Sequence, residues 1–102
     1  MAERGTGTAT EQDVQQELKP PSMYRVLMHN DNYTTMDFVV EVLCNVFRKP
    51  TDAAVRIMLE IHHNGLGMCG VFPADVAATK IDTVHSMAEA RGYPLRCTME
   101  PE

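Results

Sequence analysis

Apolar residues along the chain fall into short runs separated by Pro, Gly, Asn and Asp, and their spacing changes from run to run. Met23 to Met28 reads Met-Tyr-Arg-Val-Leu-Met, rich in strand formers, and alternation puts Tyr24, Val26 and Met28 on one face of a first strand. From Thr35 to Arg48 the spacing becomes helical. Met36, Val39, Val40, Leu43, Val46 and Phe47 form one stripe, with Asp37, Glu41 and Arg48 opposite. Thr34 is the expected N-cap, and Asp37 three residues on suggests a capping box with Asp in the place of Glu. Lys49-Pro50-Thr51-Asp52 interrupts the pattern. A second helix then starts with Pro50 at its first position or Thr51 as its cap, buries Ala54, Ile57, Met58 and Ile61, and ends at a left-handed Gly65. Met68 to Phe72 predicts a second strand, in which Gly67 and Gly70 imply close backbone approach. Pro73 opens a third helix, to about Arg91, with Ala77, Ile81, Val84 and Ala88 inside and Gly92 as its stop. Leu95 to Met99 alternates as a last strand. The order β-α-α-β-α-β predicts a small single α+β domain, a three-stranded antiparallel sheet packed with three helices.

Residues 1–19 carry few, unperiodic apolar positions and several Gly, Thr and Gln, so a flexible N-terminal arm is expected there, with a core domain over 20–102. A chain of 102 residues accommodates one domain at most. Its net charge of −5 argues against nucleic acid or anionic membranes as partners. Cys44, Cys69 and Cys97 form no close pair and no zinc-type array, and each lies in an apolar segment; buried reduced thiols are expected. No apolar run is long enough to span a bilayer and the N-terminus has no secretory core, so a cytoplasmic location is expected.

The most unusual stretch is His29-Asn30-Asp31-Asn32-Tyr33-Thr34-Thr35-Met36, between the first strand and the first helix. Asn, Asp and Thr are ordinary turn and cap residues, and a plain connection explains them. The stretch is nevertheless richer in acceptors than a turn needs. An enzyme is not indicated: there is no nucleophile elbow, no Cys-His signature and no phosphate-cradling Gly loop with Lys. His62 and His63 are adjacent, about 100° apart on a helix, and do not chelate one metal as an i, i+4 pair would. His29 and His85 read as surface or edge residues, and neither metal nor cofactor is expected. What the acceptors do suit is an ammonium group, held by Asn30, Asp31, Asn32 and the imidazole of His62. Met36, Val39, Met58, Ile61 and Leu95 are available to line an apolar pocket beside it. Core packing explains the same apolar residues equally well, and periodicity does not choose between the two.

Four blocks in order go further: Leu18-Lys19-Pro20-Pro21-Ser22-Met23-Tyr24, Asn30-Asp31-x-Tyr33-Thr34-x-Met36-x-Phe38-Val39, Cys69-Gly70-Val71-Phe72 and Pro94-Leu95-x-Cys97-Thr98. Together they resemble the ClpS adaptor family over residues 18 to 99. The resemblance implies a non-enzymatic adaptor of the N-end rule. Such an adaptor binds the N-terminal segments of N-degron substrates beginning with Leu, Phe, Tyr or Trp, and hands them to a ClpA-type AAA+ unfoldase working with ClpP. It implies that Asn30, Asp31, Asn32 and His62 hold the α-amino group and that Thr34, Met36, Val39, Met58, Ile61 and Leu95 form the side-chain pocket, with Met36 as a gate against β-branched residues. It implies a docking surface for the unfoldase at Asp75 and Lys80, and engagement of the arm during delivery. Two positions depart from the family pattern. Asn32 stands where a second Asp is usual, removing one charge near the amine. Thr35 stands where Pro is usual, implying a looser pocket wall. The competing reading is a generic interaction domain of similar fold, such as the C-terminal module of the ribosomal stalk protein L7/L12, which lacks the Asn-Asp turn and distal His.

Overall fold

The computed structural model describes residues 20–102, so the expected arm at 1–19 lies outside the described residues. The elements are β1 (Met23–His29), α1 (Met36–Asn45), α2 (Thr51–Asn64), β2 (Leu66–Pro73), α3 (Ala74–Arg91) and β3 (Arg96–Pro101). The sheet order is β2-β1-β3 and both pairings are antiparallel. The alternation in β1 does what it implies: Val26 and Met28 are fully buried, with Phe38, Val42 and Leu43 of α1 and Val84 of α3. Burying a side chain of this size contributes about 1.5–3 kcal/mol. The opposite face of the sheet carries polar cross-strand pairs. Arg25 meets Glu100 at 3.1 Å, and His29 Nε2 lies 2.7 Å from Thr98 Oγ1.

Three local expectations are corrected. The N-cap of α1 is Thr35, whose Oγ1 accepts from the Phe38 amide at 3.2 Å. Thr34 is drawn back toward Asp31 instead, so Asp37 is one residue too early for a capping box. At the position where proline was the expected residue, the Thr35 hydroxyl thus satisfies a helix-end amide. α1 also stops at Asn45, short of Arg48. The chain reverses through Arg48 at φ 58°, and the Lys49 amide donates to the Leu43 carbonyl. Val46 and Phe47 stay buried through this reversal, which is why the apolar stripe overran the helix. At the start of α2, Pro50 is itself the cap and Thr51 the first helical residue.

α3 is tied to both neighbours. His85 Nε2 accepts from the Cys97 amide at 3.0 Å on the edge of β3, and Arg91 pairs with Glu41 of α1 at 2.9 Å. Both His29, at the end of the central strand, and His85, on α3, are therefore hydrogen-bonded and half-buried. The thiols of Cys69 and Cys97 are buried and Cys44 is half-buried; all three are free. The hydrogen bond with Cys97, with burial, pushes the Cys69 thiol far up, so it stays protonated and inert.

Candidate functional site

The turn after β1 is built around one carboxylate. Asp31 Oδ1 accepts from the amides of Tyr33 and Thr34, at 2.8 and 2.7 Å, and Oδ2 accepts from the Thr34 hydroxyl at 2.7 Å. Burial pushes the Asp31 carboxyl up, but the two Thr34 bonds and the Tyr33 bond together outweigh it and hold the group below its ordinary value. Asp31 is thus an ionised, turn-organising residue with little acceptor capacity left unspent.

The far side of the site is the end of α2. His62 lies in its last turn, and Gly65 ends it at φ 91° with its amide on the Ile61 carbonyl. The Asn30 amide donates to the Gly65 carbonyl at 2.8 Å, so turn and helix end are joined main chain to main chain. Gly67 allows α2 to settle onto β2: a Cβ there would lie 2.8 Å from Ile61 Cγ1 and 3.4 Å from the Ile57 carbonyl oxygen. The close backbone approach expected at Gly67 is found here, and Gly65 is the left-handed terminator expected of it; that Gly65 also receives the Asn30 amide was not read from sequence.

Between these walls is a cavity of about 240 Å³. The turn contributes Asn30, Asp31, Asn32 and Thr34; α1 contributes Met36 and Val39; α2 contributes Met58, Ile61 and His62. Of the residues singled out for an amine end and an apolar pocket, the structure gathers all but Leu95 here. Leu95, 5% exposed, belongs to the central core. The cavity is polar along the turn and His62 and apolar along the helices, and among the described residues no Lys or Arg lines it. Among the described residues the side chains of Asn30, Asn32 and His62 engage in no intramolecular hydrogen bond, leaving their acceptors available. Met36 is 45% exposed at the mouth. Such a hollow fits a cationic head on an apolar body; for scale, an apolar cavity of about 150 Å³ holds benzene.

A second, shallower hollow of about 270 Å³ lies along the start of α3, lined by Asp75, Val76, Thr79 and Lys80. Lys80 is not a free charge there. Its Nζ donates to the Val46 carbonyl at 2.8 Å and lies 5.2 and 5.9 Å from the ring centres of Phe72 and Phe47. Asp75 accepts from the Val76 amide at 3.0 Å. Among the described residues no group of three His, Cys, Asp or Glu is placed to hold a metal ion, and no helix is long and apolar enough to cross a membrane.

Comparison with known proteins agrees with this geometry. The family described as ATP-dependent Clp protease adaptor protein ClpS matches residues 19–98. The chain is similar to the ATP-dependent Clp protease adapter protein ClpS of Oleidesulfovibrio alaskensis, 52% identical over 102 residues and covering 98% of each chain. The protein of the same name from Myxococcus xanthus is 53% identical over 100 residues, which cover 98% of this chain and 94% of that one. Among solved structures, Agrobacterium tumefaciens ClpS2 bound to L-phenylalaninamide superposes with a TM-score of 0.78 at 37% identity, covering 81% of this chain and all of that one.

Proposed function

The chain belongs to the ClpS family of Clp protease adaptors, and we propose that its cavity captures the first residue of a protein substrate for delivery to a ClpA-type AAA+ unfoldase working with ClpP. The α-ammonium group is received by the Asn30 and Asn32 side-chain carbonyls and a ring nitrogen of His62. Asp31 contributes its negative charge while it holds the turn. A bulky apolar first side chain (Leu, Phe, Tyr or Trp) enters between Met36 and Val39 on one side and Met58 and Ile61 on the other, with Met36 excluding β-branched residues at the mouth. The observation that carries the reading is the union, in one hollow, of unspent acceptors and apolar walls. The ligand of the Agrobacterium tumefaciens protein, a free α-amine bearing an aromatic side chain, has the same two-part chemistry.

The magnitudes agree. Burying one Leu or Phe side chain gives about 1.5–3 kcal/mol, and each hydrogen bond to a charged amine about 1.5–3 kcal/mol. Two or three such bonds plus the side chain, less the cost of association, reach the ~8 kcal/mol of a micromolar complex. Neither half suffices alone. Acetylating the N-terminus of a Leu-first peptide is therefore expected to abolish binding in a fluorescence-anisotropy titration; equal binding of acetylated and free peptide would remove the mechanism.

Unfoldase docking falls to the α3 hollow, where Asp75 and Val76 offer the contact. Lys80 acts there chiefly by fixing the surface, because its ammonium is already hydrogen-bonded. Binding and hand-over need no bond-making step, so the reading assigns no catalytic residue. The free thiols suit a reducing compartment, in keeping with a cytoplasmic site of action.

A further inference from the structure

α2 has two apolar faces. Ala54 and Ile61 are buried, and Ile57 and Met58 are packed against the core. On its outer side Val55 is 37% exposed and Leu59 42%. At 3.6 residues per turn, positions 55, 59 and 62 fall within about 60° of arc, a single stripe that ends at His62 on the cavity wall. Met58, which also lines the cavity, is the neighbour of Leu59 and lies three residues beyond Val55. The apolar lining therefore does not stop at the mouth but continues as a ridge along the helix.

We infer that the Val55–Leu59 ridge is a second binding surface for the same substrate, receiving apolar side chains at its second to fourth residues. This rests on the proposal that His62 marks the amine end of the cavity. Seven residues of helix span about 10 Å, and an extended chain rising about 3.3 Å per residue covers that length in three residues. A segment leaving the cavity past His62 thus reaches Leu59 and then Val55 by its fourth residue. The flanking groups, Asp52, Arg56, Glu60 and His63, mix both signs, so the ridge selects apolar character rather than charge. A second copy of this chain is a poor occupant. Two half-exposed aliphatic side chains fall far short of the ~800 Å² per partner that a stable interface buries. Continuity with the cavity is what commits the ridge to the substrate.

The test uses the full chain and two labelled peptides, both starting with Leu and sharing a soluble tail. One has Ile-Val-Leu at positions two to four and the other Gly-Ser-Gly. The apolar peptide is expected to bind about three- to tenfold more tightly. Leu59→Ser is expected to erase that preference and Val55→Ser to reduce it, with affinity for the Gly-Ser-Gly peptide unchanged and far-ultraviolet circular dichroism as in the parent. Equal affinity for the two peptides, or a preference that survives both substitutions, overturns the ridge and leaves the cavity reading intact. If neither peptide binds the parent chain, both readings fall together. A concentration-dependent dimer in sedimentation that Leu59→Ser dissolves would assign the ridge to a second copy and overturn the inference.

Discussion

The cavity under the turn and the hollow along α3 are nearly equal in volume, about 240 and 270 Å³, yet their polar groups are in opposite states. In the cavity, the side chains of Asn30, Asn32 and His62 have no hydrogen-bond partner among the described residues, and the Asp31 carboxylate is consumed in shaping the wall. In the α3 hollow the strongest donor, Lys80, is pinned to the Val46 carbonyl and lies 5.9 and 5.2 Å from the centres of the Phe47 and Phe72 rings. Two hollows of similar size thus differ in kind: one presents open acceptors, the other a donor already committed to the fold.

This contrast predicts a division of phenotypes. The largest effect is expected at the unspent groups. Asn30→Ala or His62→Ala should each weaken a Leu-first peptide about 10- to 100-fold in anisotropy titrations, the worth of a hydrogen bond to a charged group, with the urea midpoint unmoved. A normal affinity in both variants would place the amine elsewhere. Lys80→Ala should do the reverse. Losing the bond to Val46 and the contacts over Phe47 and Phe72 should lower stability by about 1–3 kcal/mol in urea, with peptide affinity unchanged. Unaltered stability would mean that the ammonium is free for a partner after all.

Smaller effects are expected in the wall itself. Thr35→Ala removes the α1 cap and should cost about 1 kcal/mol. Because α1 carries Met36 and Val39, a modest loss of discrimination between Leu and Ile peptides should accompany it. Asp31 gives the smallest and most pH-dependent effect. Its folded-state carboxyl is held below the unfolded value, so its contribution is present above about pH 4 and is lost as pH falls through the folded pKa. Asp31→Asn should therefore be less stable than the parent at pH 7, and the gap should narrow at pH 3. A gap that widens on acidification would contradict the hydrogen-bond assignment.

Strand and helix identity was legible because period two and period 3.6 are both present, as in the buried Val26 and Met28 and the α1 stripe. The α+β order was legible in this way, whereas the adaptor family was legible only through the resemblance carried by the four motif blocks. The cavity was not separable from the core by pattern, because Met36 and Leu43 share a stripe while one is 45% exposed and the other fully buried. Leu95 shows the converse, a residue expected in the pocket that lies 5% exposed in the core. The N-cap was misplaced by one residue because Asp31 competes for Thr34, a local contest that cap preferences do not resolve. The role of Lys80 was out of reach, since its partner Val46 lies 34 residues away.

The bond from the Asn30 amide to the Gly65 carbonyl has a consequence for how this site tolerates change. It sets the spacing between the acceptors of the turn and the imidazole of α2, and no side chain takes part in it. Wall side chains other than the turn-building Asp31 are therefore open to exchange while the frame keeps its dimensions. Such exchanges are expected to change what the cavity prefers before they change its shape. The uncharged Asn32 is the kind of exchange this main-chain frame can absorb.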